Sequence, residues 1–307
     1  MNKALKIIYM GTPEFAVPPL ELLISQAWGI VAVITAVDKP QGRGRQLLPS
    51  PVKETALKHG IPVLQPPNLK AADFIEKLQS YQADLQVVVA FRMLPEVVWN
   101  MPPLGTFNLH ASLLPNYRGA APINWAIING EKETGVTTFL LKQDIDTGNI
   151  LFQEKEPILP EDNVGTLYDR LKIKGAGLVL KTVEALASNQ VNATQQNEEK
   201  FLQHAPKIYK ETCQINWTKT AIEIHNLVRG LSPYPAAWTM LNKKSCKIFR
   251  TETLNKGKDN LQPGDFITDN RNYLYFQTKN GMISILEIQL EGKKKMKIED
   301  FLRGNTL

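Results

Sequence analysis

LKIIYMGTPEFAVPPLELLISQAWGIVAVITA, residues 5–36, carries the clearest fold signal in this chain. Its two ends, residues 5–11 and 30–36, are short apolar runs rich in β-branched side chains, and the stretch between them predicts a helix entered through Pro13. Strand, helix and strand in this order form a βαβ unit. Because the apolar runs are continuous rather than alternating, we expect a parallel sheet that is covered on both faces.

The same alternation of strands and helices continues to about residue 187. The predicted elements are a helix from Pro51 with Ser50 as its N-cap, a strand near Val63, a helix over Asp73 to Tyr81, the strand LQVVVAF at 85–91, a helix in PINWAIING at 122–130, a strand in TGVTTFLL at 134–141, and a long amphipathic helix from Thr166 to about Ala187. This pattern predicts an α/β, Rossmann-like domain with a mostly parallel sheet.

A polar stretch without apolar periodicity, SNQVNATQQNEEK at residues 188–200, follows the last predicted helix. Beyond it, short alternating runs are separated by Gly, Pro, Asn and Asp, which predicts a small β-barrel resembling the oligonucleotide-binding fold. We therefore expect an α/β domain at 1–189, a linker at 190–208 and a C-terminal barrel at 209–307.

Charge is distributed unevenly along the 307 residues. Residues 209–307 hold 16 Lys and Arg against 10 Asp and Glu, whereas residues 1–208 hold 20 of each. A positive field confined to the C-terminal part favours a polyanionic partner, although surface lysines that serve only solubility give the same count.

Several other classes of protein are disfavoured by the sequence. No apolar run approaches the roughly 20 residues that cross a bilayer, and the N-terminus enters a strand directly, without the pattern of a secretory signal. With only two cysteines, the simplest expectation is a cytoplasmic chain without disulfides, and a monomer is the default. The histidines and cysteines lack zinc-type spacing, and neither a phosphate loop nor a G-x-G-x-x-G fingerprint occurs, so we expect no metal and no nucleotide cofactor.

The segment FNLHASLLPNYRGAAP, residues 107–122, places Asn108 and His110 two residues apart at the end of a predicted strand. Residues i and i+2 of a strand project from one face, so the two side chains should lie side by side while Phe107 and Leu109 pack behind them. Open α/β sheets place ligands at the carboxyl ends of their strands. The alternative is a buried polar pair that is satisfied by backbone groups.

An acidic turn, QDIDTGNIL at 143–151, follows the next predicted strand and offers Asp144 and Asp146. A carboxylate beside His110 would orient the imidazole and stabilise its charged form, while the Asn108 amide would donate to an oxygen that gains negative charge. This constellation favours acyl transfer. The structural alternative is an ordinary Asx-turn before Gly148.

Two basic segments suggest contact with nucleic acid. KPQGRGRQLLPSPVK, at residues 39–53, sets arginines beside an apolar tip and could wedge against the end of a nucleic acid, or simply pack on its own domain. GKKKMK, at residues 292–297, could track a phosphate backbone or be a solvated turn.

Taken together, these motifs resemble those of the methionyl-tRNA formyltransferase family over essentially the full length. The resemblance rests on IIYMGTPEFAVPPL, QGRGRQLLPSPVK, NLHASLLPNYRGAAPINWAIING, ETGVTTFLLKQDIDTGNIL and GKKKMKIEDFLRG. It implies an enzyme that transfers the formyl group of 10-formyltetrahydrofolate to the α-amino group of methionyl initiator tRNA. Formyltransferases acting on glycinamide ribonucleotide or amino sugar nucleotides share the Asn-x-His core, but the long arginine loop favours tRNA. A non-catalytic RNA-binding protein is disfavoured by the intact Asn, His and Asp.

The resemblance also implies roles for individual residues. The implied catalytic residues are Asn108, His110 and Asp146; the folate-binding residues are Ser112, Leu113, Leu114, Pro115, Ala90 and Phe91; and the residues that bind the acceptor stem or its surroundings are Arg43, Arg45, Leu47, Lys293, Lys294 and Lys295. One departure is visible, because VVVAFRMLP is one residue shorter than the family's usual VVVAYGxxLP and carries Arg92 in place of a glycine region.

Overall fold

The computed structural model describes residues 5–41, 46–197, 199, 203–254, 257–258 and 260–307. The chain divides into two compact units. The first comprises Met1–Arg118, Gly135–Glu156 and Asp169–Gln203, and the second comprises Gly119–Thr134, Pro157–Tyr168 and His204–Leu307. These units do not follow the order of the sequence, since two segments that precede residue 169 group with the C-terminal residues. The domain boundaries at 189 and 209 stay a prediction.

The strands and helices alternate in the first half of the chain, and strands dominate the second. The strands are β1 (Lys6–Gly11), β2 (Gly29–Ile34), β3 (Lys39–Gln41), β4 (Gln46–Leu48), β5 (Val63–Leu64), β6 (Leu85–Val89), β7 (Thr106–His110), β8 (Arg118–Gly119), β9 (Glu133–Leu140), β10 (Ile150–Pro157), β11 (His204–Ala205), β12 (Ala237–Leu241), β13 (Lys244–Leu254), β14 (Phe266–Thr268), β15 (Leu274–Gln277), β16 (Met282–Leu290) and β17 (Met296–Lys297). The helices are α1 (Val17–Ser25), α2 (Pro51–Lys58), α3 (Ala72–Ser80), α4 (Glu96–Trp99), α5 (Pro122–Ile128), α6 (Val164–Ala187), α7 (Ala221–Leu231) and α8 (Ile298–Arg303).

A mostly parallel sheet forms the centre of the first unit, in the order β10-β9-β7-β6-β1-β2-β5. Strands β5, β2, β1, β6 and β7 are parallel, and β9 pairs antiparallel with β7. The direction in which successive strands are added reverses between β1 and β6. In open α/β sheets a ligand crevice is expected beyond the carboxyl ends of the two strands at such a point. The predicted Rossmann-like fold class is confirmed.

Local signals in the sequence account for the helix starts of this unit. The Ser50 hydroxyl accepts a hydrogen bond from the Lys53 backbone N–H at 3.1 Å, so the predicted N-cap of α2 is present. The first helix differs from the prediction, because a 3-10 turn at Glu14–Ala16 precedes α1, which begins only at Val17. Pro18 and Pro19 lie in the first turn of α1. Backbone N–H groups in the first turn have no carbonyl partner within the helix, so proline, which lacks the N–H, is tolerated there.

The second unit is built on an antiparallel half-barrel. Its strands run in the order β12-β13-β16-β15-β14, and β17 pairs with β16. Helix α7 packs on this sheet, and Trp217 stacks on Phe276 with ring centroids 4.3 Å apart. Helix α5 also belongs to this unit, because the Asn124 side-chain amide donates to the Gly230 carbonyl at 2.8 Å. A Cβ on Gly230 would lie 2.6 Å from Ile128, so glycine permits this close helix contact.

No helix in the described part of the chain is both long enough and apolar enough to cross a membrane.

Candidate active site

His110 ends β7 and is buried, with its side chain 8% exposed. Its Nε2 lies 2.8 Å from the backbone carbonyl oxygen of Tyr117. Because a carbonyl only accepts hydrogen bonds, Nε2 carries a proton and donates it. The other ring nitrogen, Nδ1, lies 3.9 Å from Oδ2 of Asp146. That distance is longer than a hydrogen bond but short enough for a strong charge interaction.

The acidic turn delivers Asp146, and not Asp144, to the histidine. Asp146 has a side chain that is 14% exposed, whereas Asp144 is exposed to solvent. The backbone of Asp146 lies in the left-handed region at φ +56°, and a Cβ on Gly148 would lie 1.6 Å from the Leu140 carbonyl oxygen. A glycine is therefore required there for the turn to close against β9. The segment is a tight turn that places one carboxylate near His110, and the Asx-turn stays a prediction.

Asn108 lies on the same strand as His110 and two residues before it, so both project from one face of β7. Leu109 projects to the opposite face, where a Cβ on Gly175 of α6 would come within 2.7 Å of its side chain. Asn108 is half-buried, and its side-chain amide hydrogen-bonds to no group among the residues that the structure describes. An amide with both donor and acceptor capacity is thus available beside the histidine.

The SLLP segment after β7 forms a tightly bonded loop. The fully buried Ser112 donates its hydroxyl proton to the Asn116 carbonyl at 2.7 Å, and its own carbonyl accepts from the Thr137 hydroxyl at 2.6 Å. The Gln153 side-chain amide donates to the Leu114 carbonyl at 2.9 Å, just before a cis Leu114–Pro115 bond. The Ser112 side chain is thereby used in shaping the loop. Folate binding by Ser112, Leu113, Leu114 and Pro115 stays a prediction.

Thr137 and Gln153, which hold the SLLP segment, were not singled out by the sequence. Thr137 lies on β9, a strand predicted from its apolar pattern, and Gln153 lies on β10, a strand that the sequence analysis did not predict. Thr137 is a buried polar residue in an otherwise buried strand, which is a weak signal in a single sequence, and Gln153 is an exposed residue of a strand of mixed burial.

The other proposed folate-binding segment follows β6 at the reversal point of the sheet. Ala90 is exposed and adopts φ +48°, and the half-buried Phe91 follows it. Arg92, the residue that departs from the family pattern, donates to the backbone carbonyls of Pro66 and Pro67, the latter at 3.0 Å. Its guanidinium carbon also lies 5.7 Å from the centroid of the Phe91 ring. The arginine therefore ties the shortened segment back to the chain after β5.

The predicted arginine loop is a β-hairpin at its base. Strands β3 and β4 pair antiparallel, and Leu47 near the start of the return strand is 68% exposed. Arg43 and Arg45 lie outside the described residues. The base is secured by a 2.6 Å ion pair between Lys53 Nζ and Asp38, and hydrogen bonds from Lys53 and then from Gln65 lower the pKa of the Asp38 carboxyl.

The basic run of the second unit lies in the turn between β16 and β17. Lys293 and Lys294 are exposed, and Lys295 pairs with Glu287 at 2.6 Å while its ammonium lies 4.9 Å from the Phe249 ring centroid. All three predicted lysines are thus exposed, and Lys295 also has an acidic and an aromatic neighbour. Binding of tRNA by Lys293, Lys294 and Lys295 stays a prediction.

The arrangement around β7 can stabilise a tetrahedral intermediate. It holds an amide donor, an imidazole whose Nε2 proton is donated to a backbone carbonyl, and a carboxylate 3.9 Å from the other ring nitrogen. Among the described residues, no three His, Cys, Asp or Glu side chains group in a way that could hold a metal ion. The chemistry available from these side chains is acyl transfer to a nucleophile.

Comparison with known proteins agrees with that chemistry. Residues 5–183 match the family described as formyl transferase, and residues 207–306 match the formyl transferase C-terminal domain. These matches place the chain among the formyltransferases, which are enzymes. The methionyl-tRNA formyltransferase of Phocaeicola vulgatus is 53% identical over 313 residues, covering 99% of this chain and 96% of that protein. The one from Bacteroides fragilis strain YCH46 is 51% identical over 308 residues, covering 98% and 95%. The chain belongs to the methionyl-tRNA formyltransferase family.

Solved structures show the same fold at low identity. The N-formyltransferase from Helicobacter canadensis, solved in complex with folinic acid and dTDP-3-aminofucose, superposes with a TM-score of 0.66 at 22% identity. The superposition covers 95% of this chain and 100% of that one.

Proposed function

We propose that this enzyme transfers the formyl group of 10-formyltetrahydrofolate to the α-amino group of methionine esterified to initiator tRNA. The observation that carries the chemical step is the geometry at the end of β7. His110 donates its Nε2 proton to the Tyr117 carbonyl and has its Nδ1 3.9 Å from Asp146, with the half-buried Asn108 amide on the same strand face. Membership of the methionyl-tRNA formyltransferase family supports the acceptor.

Attack of a neutral amine on the formyl carbon turns its carbonyl oxygen into an oxyanion, and the active site must stabilise that charge. The Asn108 amide donates one hydrogen bond to it. His110 in its charged form donates the second from Nδ1, since Nε2 is already bonded to Tyr117 at 2.8 Å. The attacking nitrogen gains a positive charge as it bonds to the formyl carbon and must lose one proton, while expulsion of the folate amine requires a proton at N10. The Nδ1 proton of His110 is the nearest acidic one for N10 in this arrangement, and the neutral ring that remains takes up the proton of the attacking nitrogen, which restores the imidazolium.

Asp146 supports both of these tasks of His110. Its carboxylate lies 3.9 Å from Nδ1, in a pair that is largely shielded from water, and would stabilise positive charge that develops on the ring during the reaction. Asp146 also lies at the Nδ1 edge of the ring, while Tyr117 bonds to Nε2, so both ring nitrogens have a neighbour that orients the imidazole. Asp146 is thus an electrostatic partner, while Asn108 and His110 touch the reacting atoms.

The folate donor is assigned to the crevice at the reversal of strand order. The SLLP loop after β7 and the Ala90–Phe91 segment after β6 both follow the carboxyl ends of neighbouring parallel strands. A preformed loop with its own hydrogen bonds satisfied, such as that of Ser112 and Leu114, offers a pocket wall that costs little entropy to order.

The tRNA acceptor stem is assigned to the hairpin of β3 and β4, with its exposed Leu47, together with Arg43 and Arg45 from the adjoining sequence. In the second unit, the lysines of residues 293–295 would contact the phosphate backbone. We further propose that the enzyme acts as a monomer in the cytoplasm, where aminoacylated initiator tRNA is used.

A single set of assays tests the proposed function. The purified chain is incubated with 10-formyltetrahydrofolate and methionyl initiator tRNA, and formyl-methionyl-tRNA is separated and quantified. Parallel reactions offer glycinamide ribonucleotide or a dTDP-amino sugar as the acceptor. We expect product only with the tRNA. Faster formylation of either small acceptor would overturn the assignment of the acceptor while keeping the chemistry.

A further inference from the structure

Gln196 lies in the polar stretch after α6, which sequence patterns predict to be a linker. Most of this stretch is exposed, including the neighbouring Gln195. Gln196 is different, since it is buried with only 5% of its surface exposed. A buried glutamine amide must find partners for two donors and an acceptor, so its contacts reveal what it holds.

The Gln196 amide joins two loops of the active site within the first unit. Its Nε2 donates to the backbone carbonyl of Asp146 at 2.7 Å and to that of Gly148 at 2.8 Å. Its Oε1 accepts from the Arg118 guanidinium, at 3.2 Å from Nε and 2.5 Å from Nη2. Carbonyls only accept and a guanidinium only donates, so the chemistry of the partners fixes which way the amide faces.

We propose that Gln196 is a positioning residue that sets the place of Asp146 relative to His110, an inference that rests on the proposed function. Asp146 has a left-handed backbone, a conformation that costs energy for a residue with a side chain unless its surroundings hold it. The two hydrogen bonds from Gln196 grip the turn on both sides of Thr147, at the carbonyls of residues 146 and 148. Loss of these bonds would let the turn relax and change the 3.9 Å separation of the Asp146 carboxylate from His110.

The same polar stretch also supports the other partner of His110. The Tyr117 N–H donates to the Gln203 carbonyl at 2.7 Å, and the Tyr117 carbonyl accepts the His110 Nε2 proton. Thr194, two residues before Gln196, forms an isolated antiparallel bridge with Ile150 at the start of β10. Residues of this stretch therefore hold both neighbours of the imidazole. Gln203 holds Tyr117 on the Nε2 side, and Gln196 holds Asp146 on the Nδ1 side.

The test compares three substitutions in the full-length chain. Gln196→Glu keeps the size and the arginine partner but replaces both N–H donors by a carboxylate oxygen. Gln196→Met keeps the size and removes every polar partner. Gln195→Glu, one residue earlier and exposed, is the matched control. We expect both position-196 variants to lower kcat about 10- to 100-fold, because a small misplacement of a catalytic group can cost that much, with KM for either substrate within about threefold.

A double-mutant cycle separates positioning from general loss of structure. If Gln196 acts through the Asp146 carboxylate, Gln196→Met in an Asp146→Asn background should lower kcat by less than about threefold further. A merely structural role predicts the full drop in both backgrounds, accompanied by a rise in KM, and either result would overturn the proposal. Thermal unfolding of each variant gives the folded fraction by which kcat is normalised.

The controls distinguish this proposal from the proposed function. Absence of formyl-methionyl-tRNA with the unmodified chain and with Gln195→Glu would reject the proposed function. Normal product from these two chains together with normal kcat for Gln196→Met would reject the positioning role alone. Should Gln196→Glu fail to fold, Gln196→Asn, which keeps the amide on a shorter chain, replaces it, and we expect an intermediate loss of kcat.

Discussion

Replacement of Asp146 by Asn tests the electrostatic core of the site, because it removes one negative charge and changes the side-chain volume little. At the 3.9 Å separation of Asp146 Oδ2 from His110 Nδ1, two unit charges attract by about 4 kcal/mol at an effective dielectric constant of about 20, and by about 2 kcal/mol at about 40. The histidine side chain is 8% exposed and the aspartate side chain is 14% exposed, so these two dielectric constants bracket the expected screening of the pair by water.

If the transition state needs the imidazolium, this attraction enters the rate directly. Each 1.36 kcal/mol is a factor of ten, so Asp146→Asn should lower kcat by about 30-fold to 1000-fold. Substrate affinity should change little, since Asp146 is assigned no contact with either substrate. The measurement is kcat for formyl-methionyl-tRNA formation with both substrates saturating.

Asp144→Asn is the matched control, because Asp144 lies in the same turn and is exposed to solvent. It removes the same charge from the same segment, and we expect kcat within about twofold of the unmodified enzyme because exposed charges are strongly screened. Equal kcat for Asp146→Asn and Asp144→Asn would refute the reasoning, since the nearby charge would then have no role in the reaction.

Three further predictions address other parts of the molecule. Asn108→Ala should lower kcat about 100- to 1000-fold, the usual loss for one oxyanion donor, and near-normal turnover by the folded variant would remove Asn108 from the mechanism. Arg43→Ala should raise KM for methionyl-tRNA and leave folate binding, measured by fluorescence quenching, unchanged; equal kinetics with the tRNA would contradict the assigned role. The capping hydrogen bonds from the Thr220 hydroxyl and backbone N–H lower the pKa of Glu223 from its usual 4.5 to about 2. Glu223→Gln should therefore lower the free energy of unfolding by less than about 1 kcal/mol at pH 7. The difference in unfolding free energy between the two chains should shrink as pH falls from 4.5 towards 2, because the carboxylate is then protonated. Urea titrations that show the same difference at every pH would reject this account.

Local signals allowed much of the fold to be predicted. The apolar runs at residues 5–11 and 30–36 became β1 and β2, paired in parallel as a βαβ unit requires. Ser50 caps α2 as its position before Pro51 indicates. These features depend on residues a few positions apart, whose spacing and backbone preferences are visible in one sequence. The pairing of Asn108 with His110 on one strand face belongs to the same class.

The choice between Asp144 and Asp146 could not be made from spacing, although the family resemblance favoured Asp146. It depends on a turn with a left-handed residue and a glycine pressed against Leu140, which only the folded chain brings together. The sequence also could not show that residues 119–134 belong to the second unit, because the contact of Asn124 with Gly230 joins residues 106 positions apart.

Patterns along the chain predicted most of the elements, their order, the class of the sheet and the residue types proposed for formyl transfer. The tertiary structure decided which nitrogen of His110 is fixed, which carboxylate faces it, and that Gln196, 78 residues beyond Arg118, joins the two loops. The physical reason is that a polar residue in a polar stretch has no periodicity to mark it. Its importance comes from burial and from hydrogen bonds to distant backbone groups, and both exist only once the chain has folded.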